Sequence, residues 1–153
     1  MSVPLAASLD VLRAELPPLL RYATALGLTV DCSPLEADRP TLYVTFRNRR
    51  GDPATAELDF TGYPDVSPYI EFVDRATGVR GAPSLYPNCF HPTLCVCAKY
   101  NRKAYIGYTG LHAEWRLKDW QDPTSGSGAQ LDSLAMIVSD LHAKISVTEG
   151  WLG

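Results

Sequence analysis

The segment Tyr86-Pro-Asn-Cys-Phe-His-Pro-Thr-Leu-Cys-Val-Cys97 gathers three of the chain's four cysteines, one of its three histidines and an asparagine. Thiols, an imidazole and a side-chain amide so close together can do one of three things. A thiolate can attack an acyl group while an amide N–H steadies the oxyanion that forms. Four soft ligands, Cys89, His91, Cys95 and Cys97, can hold zinc. Cysteines can also fill a core as small apolar side chains.

Spacing separates these readings. Structural zinc sites usually split their ligands between two separated knuckles. Here all four sit in one stretch, and His112 is far along the chain. The expectation is therefore no bound metal and no cofactor. Core filling suits Cys32, isolated at the end of a possible strand, better than the three cysteines in a proline-punctuated loop. For catalysis, Cys95 or Cys97 would supply the sulfur and Asn88 the amide donor, with His91 or His112 available as a base. The local signatures of papain-like proteases are absent.

Composition narrows the setting. A chain of 153 residues with 46% hydrophobic and 20% charged residues can bury a real core, and one domain spanning 1–153 is expected. The net charge of −3 gives no reason to expect nucleic acid, although Arg47, Arg49 and Arg50, and Lys99, Arg102 and Lys103, form small basic groups. No apolar run has the length of a membrane span, and the start MSVPLAASLD lacks the pattern of a secretory signal. A cytoplasmic protein with reduced thiols is the expectation, with no membrane partner.

Regular elements must hold the cysteine-bearing loop. Leu9, Leu12, Leu16, Leu19, Ala23 and Leu26 recur at helical steps, with Ser8 as the candidate N-cap and Gly27 as the stop. Pro17-Pro18 should kink this helix or divide it in two. Leu42, Val44 and Phe46 then alternate with polar neighbours, as do Ala56, Leu58 and Phe60, and Ile70 and Phe72. Such alternation predicts an antiparallel meander with one wet face, its hairpin turning at Arg49-Arg50-Gly51-Asp52-Pro53. Leu28 to Cys32 is a candidate edge strand. Regularity fades from Arg75 to Gln121, where aromatic residues crowd. Tyr100, Tyr105, Tyr108, Trp115 and Trp120 would form either a protein-binding face or a small satellite core. After Thr124-Ser-Gly-Ser-Gly128, the stripe Leu131, Leu134, Ala135, Val138, Leu141 and Ile145 predicts a final helix over 130–145. Asp59, Asp65 and Asp74 fall at strand ends as turn residues, and His142 on the last helix is expected in solvent. The order predicts an α+β fold with helices packed on one sheet.

With these elements in place the chain resembles the ubiquitin-conjugating enzyme family (UBC-like fold), in its divergent bacterial branch. An N-terminal helix precedes the meander. The family's "YP…P…F" segment between the third and fourth strands is matched by Tyr63-Pro64-Asp65-Val66-Ser67-Pro68-Tyr69-Ile70-Glu71-Phe72. Its "HPN" loop is matched by Tyr86-Pro87-Asn88, and its cysteine segment by Leu94-Cys95-Val96. Trp115 or Trp120 would match a following tryptophan.

The resemblance implies transthiolation. Cys95 would take a ubiquitin-like modifier from an activating enzyme as a thioester and pass it to an amine of an acceptor protein. Asn88 would order the loop or support the oxyanion. Bacterial members lie in antiviral operons beside an activating enzyme, a ubiquitin-like protein and a metal-dependent isopeptidase. Two departures stand out. Tyr86 replaces the family's histidine. The gap from Asn88 is one residue short at Cys95 and one long at Cys97, so register alone leaves Cys97 as an alternative nucleophile. The flanking Leu94 and Val96 favour Cys95 over both Cys97 and Cys89. The segment 98–128 is longer than in compact relatives. A non-catalytic binding module of the same fold, or a small zinc-binding interaction domain, are the other readings.

Overall fold

A computed structural model describes residues 4–63, 68–89 and 134–152. Helix α1 runs unbroken from Leu5 to Leu26. Leu9, Leu12, Leu19 and Ala23 are buried and Leu16 packs at the margin, as the spacing requires. The helix differs from expectation at three points. It starts at Leu5 behind Pro4, so Ser8 lies inside it. Ser8 is buried, and its hydroxyl donates to the Tyr63 carbonyl at 2.7 Å. Pro17 and Pro18 do not divide it. The carbonyls deprived of donors, those of Arg13 and Ala14, belong to exposed residues, where water can replace the lost bonds. Leu26 is 39% exposed, and Leu28, past the stop, is buried in its stead. Gly27 ends the helix at φ 73°, with the Leu28 N–H donating to the Ala23 carbonyl at 2.9 Å.

Four strands follow in the order β1-β2-β3-β4, all antiparallel: β1 (Thr29–Asp31), β2 (Thr41–Arg47), β3 (Pro53–Asp59) and β4 (Tyr69–Val73). The candidate edge strand is thus realised as β1. A short helix, α2 (Ser33–Glu36), links β1 to β2, and Cys32 before it packs partly buried on the core. Leu42, Val44, Phe46, Ala56, Leu58, Ile70 and Phe72 share the inner face, all fully buried. Each large apolar side chain removed from water there contributes roughly 1.5–3 kcal/mol. The β2–β3 turn is organised by Asn48, only 5% exposed. Its Oδ1 accepts the N–H groups of Arg50 and Asp52 at 2.9 Å each. Asp59 and Asp74 are turn residues as expected: Asp59 accepts from the Thr61 N–H, and Asp74 from the Ala76 N–H. Asp65 lies outside the described residues.

Helix α3 (Leu134–Ile145) closes the core with Leu134, Val138, Leu141 and Ile145, and with Ile137 in addition. Leu131 lies outside the described residues. His142 is half-buried, with Nδ1 shielded from solvent, rather than solvated, because its turn of α3 lies close to the body of the protein. The architecture is α+β: an N-terminal helix, a four-stranded antiparallel sheet and a C-terminal helix. Among the described residues no helix is long and apolar enough to cross a membrane.

Candidate functional site

The chain reaches Asn88 along the side of β4 that faces away from β3. After the turn at Asp74–Gly78 it folds back, and the Gly81 N–H donates to the Phe72 carbonyl at 3.0 Å. A 3₁₀ turn, Pro83–Leu85, then delivers Tyr86 into the core. Tyr86 is 2% exposed, and its ring meets Phe72 edge-on with centroids 5.0 Å apart. Its hydroxyl accepts the Phe72 N–H at 3.4 Å. The side chain thus ties the Asn88 segment to β4. Tyr86 is therefore a core residue.

Asn88 is exposed, and its backbone is held from outside the segment. Pro87 forms an antiparallel bridge with Trp151. The Asn88 N–H donates to the Gly150 carbonyl at 3.1 Å, and the Leu152 N–H donates to the Tyr86 carbonyl at 3.0 Å. Both bonds flank the Pro87–Trp151 pair, so Pro87 occupies the non-hydrogen-bonded position, where a missing N–H costs nothing. Upstream, the Arg49 N–H donates to the Thr148 carbonyl at 2.9 Å. The C-terminal segment therefore ties the β2–β3 turn to the Asn88 segment. Nothing in the periodicity pointed to this. The one available signal was Gly150 next to Trp151 beyond the end of an amphipathic helix.

Cys89 follows Asn88, half-buried against the core. Burial pushes its thiol up to about 11, and a hydrogen bond with Thr148 offsets only a little of that. Burial thus favours the protonated thiol over the thiolate at this sulfur. The candidate nucleophiles Cys95 and Cys97, the histidines His91 and His112, and Trp115 and Trp120 lie outside the described residues. Of the four candidate zinc ligands only Cys89 is described. Among the described residues no three His, Cys, Asp or Glu side chains gather as a metal site.

A second arrangement lies on the outer face of the sheet. Register aligns Asp31, Tyr43, Glu57 and Glu71 in one row across all four strands. Glu57 and Glu71 face each other directly, which repulsion would disfavour. Arg80 reconciles them, pairing with Glu57 through two nitrogens and reaching Glu71 at 3.2 Å. Arg80 holds the Glu57 carboxyl below its ordinary range, with help from the Tyr43 hydroxyl. Tyr69 donates to Glu71 at 2.8 Å, and burial raises its phenol first, the Glu71 bond second. Arg75 lies 3.8 Å above the Tyr43 ring and pairs with Asp31 at 2.6 Å. Between this face and the C-terminal segment runs an open cleft of about 310 Å³, lined by Ala54, Val73, Arg75, Ser84, Leu85 and Trp151 among others.

What this arrangement can do chemically is limited and specific. It presents an exposed asparagine on a backbone fixed at two points, just before a stretch that carries two further thiols. No family model, no curated protein and no solved structure matches this chain.

Proposed function

We propose that this chain is a ubiquitin-conjugating-enzyme-like protein that carries a ubiquitin-like modifier on Cys95, with Cys97 as the alternative nucleophile, and passes it to an amine. One observation carries the reading: Asn88 is exposed on a backbone segment braced against the sheet edge, directly ahead of the Cys95 stretch. The helix–meander–helix order, with Tyr63 leading out of β3 and Tyr86-Pro87-Asn88 beyond β4, supports it. Burial disfavours the thiolate at Cys89, which supports the preference for Cys95 and Cys97.

The chemistry is an exchange of acyl groups. The Cys95 thiolate attacks the thioester carbonyl carbon on an activating enzyme. A new C–S bond forms and the activating enzyme's thiolate leaves. An acceptor amine then attacks the same carbon, a C–N bond forms, and Cys95 leaves as thiolate while the amine loses its proton. The first step is nearly balanced and needs no strong base. The second passes through a tetrahedral oxyanion, where the Asn88 amide would donate. Losing one such donor typically costs about 10²–10³ in rate. The test is to follow loading and discharge separately in Asn88→Ala, using a cognate activating enzyme and modifier. Loading unchanged with discharge reduced supports the reading, and equal effects on both steps count against it. A bacterial, antiviral and cytoplasmic setting, with modifier, activating enzyme and acceptor protein as partners, belongs to the same proposal.

A non-catalytic binding module of the same fold is favoured by a different observation. Tyr86, in the place of the family's histidine, serves the core and leaves the loop one polar group poorer. Absence of any reducible adduct under loading conditions would select this second reading.

A further inference from the structure

We infer that the C-terminal segment Thr148–Leu152 is a positioning element for Asn88, and that Gly150 and Trp151 are its positioning residues. The inference rests on the acyl-transfer reading only for its consequence in catalysis. Its structural content stands by itself.

The Tyr86–Asn88 backbone has two ties to this segment, one at each end, and together they bracket one residue pair. The Asn88 N–H reaches the Gly150 carbonyl, the Tyr86 carbonyl receives the Leu152 N–H, and Pro87 lies opposite Trp151 between them. Tyr86 itself is fixed in the core by its ring and hydroxyl. Asn88 is thus gripped from the sheet side through Tyr86 and from the solvent side through Gly150. Gly150 sits at φ 81°, a conformation that L side chains rarely adopt, and this sharp turn brings its carbonyl round to Asn88. Trp151 and Leu152 are partly buried and pack against the core, so the segment is anchored by side chains as well as backbone. Upstream, Thr148 is fixed to both α3 and the β2–β3 turn, through bonds to Ile145 and from Arg49. The segment Thr148–Leu152 therefore holds the backbone that carries Asn88. An amide that must meet an oxyanion needs such bracing, because a misplacement of about 1 Å can cost on the order of 10²-fold in rate.

The experiment combines amide hydrogen exchange on the full chain with single-turnover kinetics, in wild type, Trp151→Ala, Trp151→Phe and Leu152→Pro. In wild type the Asn88 and Leu152 amides should be protected to a similar degree. In Trp151→Ala both should exchange about tenfold faster or more, while the amides of β2 and β3 keep their protection. Trp151→Phe should restore both. Leu152→Pro removes one of the two bonds and should deprotect Asn88 as well. In the kinetic arm Trp151→Ala should slow discharge of a preformed thioester onto free lysine about tenfold with loading unchanged, and Trp151→Phe should recover it. Unchanged Asn88 protection in both Trp151→Ala and Leu152→Pro overturns the inference. So does a joint fall in loading, discharge and β2–β3 protection, which marks a purely structural role. If wild type forms no thioester, the acyl-transfer reading falls, and the coupled exchange of Asn88 and Leu152 alone decides whether the segment positions Asn88.

Discussion

The Tyr63 hydroxyl donates to the Glu15 carboxylate, at 2.9 and 2.8 Å to its two oxygens. The same carboxylate accepts the N–H of Leu134, the first residue of α3. One side chain on α1 therefore secures the link that leaves β3 and the N-terminus of the last helix. The pairings span 48 and 119 residues of sequence. A carboxylate suits the second partner twice over, since it satisfies an orphan N–H and faces the positive end of the helix dipole.

Replacing Glu15 with Ala should cost about 2–3 kcal/mol in urea unfolding, since it strands a tyrosine hydroxyl and a helix N–H together. Tyr63→Phe should cost about 1 kcal/mol. The double variant should cost less than the sum, because both changes remove one shared bond. Strict additivity would mean that the Tyr63–Glu15 bond contributes nothing.

The reach of sequence reading follows from the range of the forces involved. Alternation at Leu42, Val44 and Phe46, and the stripe at Leu134, Val138 and Leu141, are local patterns imposed by burial, and the structure follows them. Pro17-Pro18 did not divide the helix, because the effect of a proline depends on which face it occupies, and both residues are exposed. Ser8 misled because a hydroxyl that suits a cap also suits a buried bond to a distant carbonyl. Glu15, the Glu57–Arg80–Glu71 cluster and the pairing of Gly150 with Asn88 were not legible, since each joins residues far apart in sequence with no periodic trace. At the site, Asn88 was legible by type and is found exposed, whereas Cys95 and Cys97 lie outside the described residues.

Cys89 should resist alkylation. With its thiol raised to about 11, thiolate at neutral pH is scarcer by about 100-fold than for an ordinary cysteine. Brief iodoacetamide treatment of folded protein at pH 7.5 (roughly the range where free thiols react slowly), followed by peptide mass spectrometry, should leave Cys89 largely unmodified. Rapid labelling there would show the sulfur to be accessible and return it to the list of candidate nucleophiles.

Acid should weaken the outer face of the sheet. The Glu57 carboxyl is lowered first by Arg80, and Asp31 is held at about 2 chiefly by its hydrogen bonds to Ser33, with Arg75 adding to them. Both groups are more acidic folded than unfolded, where carboxylates titrate at roughly 4. Their contribution is therefore complete above that value and is lost as pH falls below about 4 through the lower folded pKa values. Glu57→Gln should shrink the fall in Tm between neutral and acid pH by about 2–4 °C, a modest effect because Arg80 is half-exposed. An identical pH profile in the variant would remove Glu57 from the explanation.

A histidine at position 86 should do harm. Tyr86→His removes a buried ring that packs on Phe72 and should cost about 2–4 kcal/mol in chemical denaturation. Tyr86→Phe should cost only about 1 kcal/mol, by stranding the Phe72 N–H at the edge of β4. A histidine variant as stable as wild type would show that Tyr86 is not a core residue.

The most direct test of the proposed function is the intact mass of the chain after incubation with a cognate activating enzyme, modifier and ATP. Wild type should gain the mass of one modifier less water, and a thiol reductant should reverse the gain. Cys95→Ala should abolish the adduct, Cys97→Ala should leave it intact, and Cys95→Ser should give an adduct that the reductant does not cleave. The opposite pattern at the two alanine variants would move the nucleophile to Cys97. A wild-type adduct that survives both alanine variants, or no adduct under any loading condition, would contradict acyl transfer by this chain.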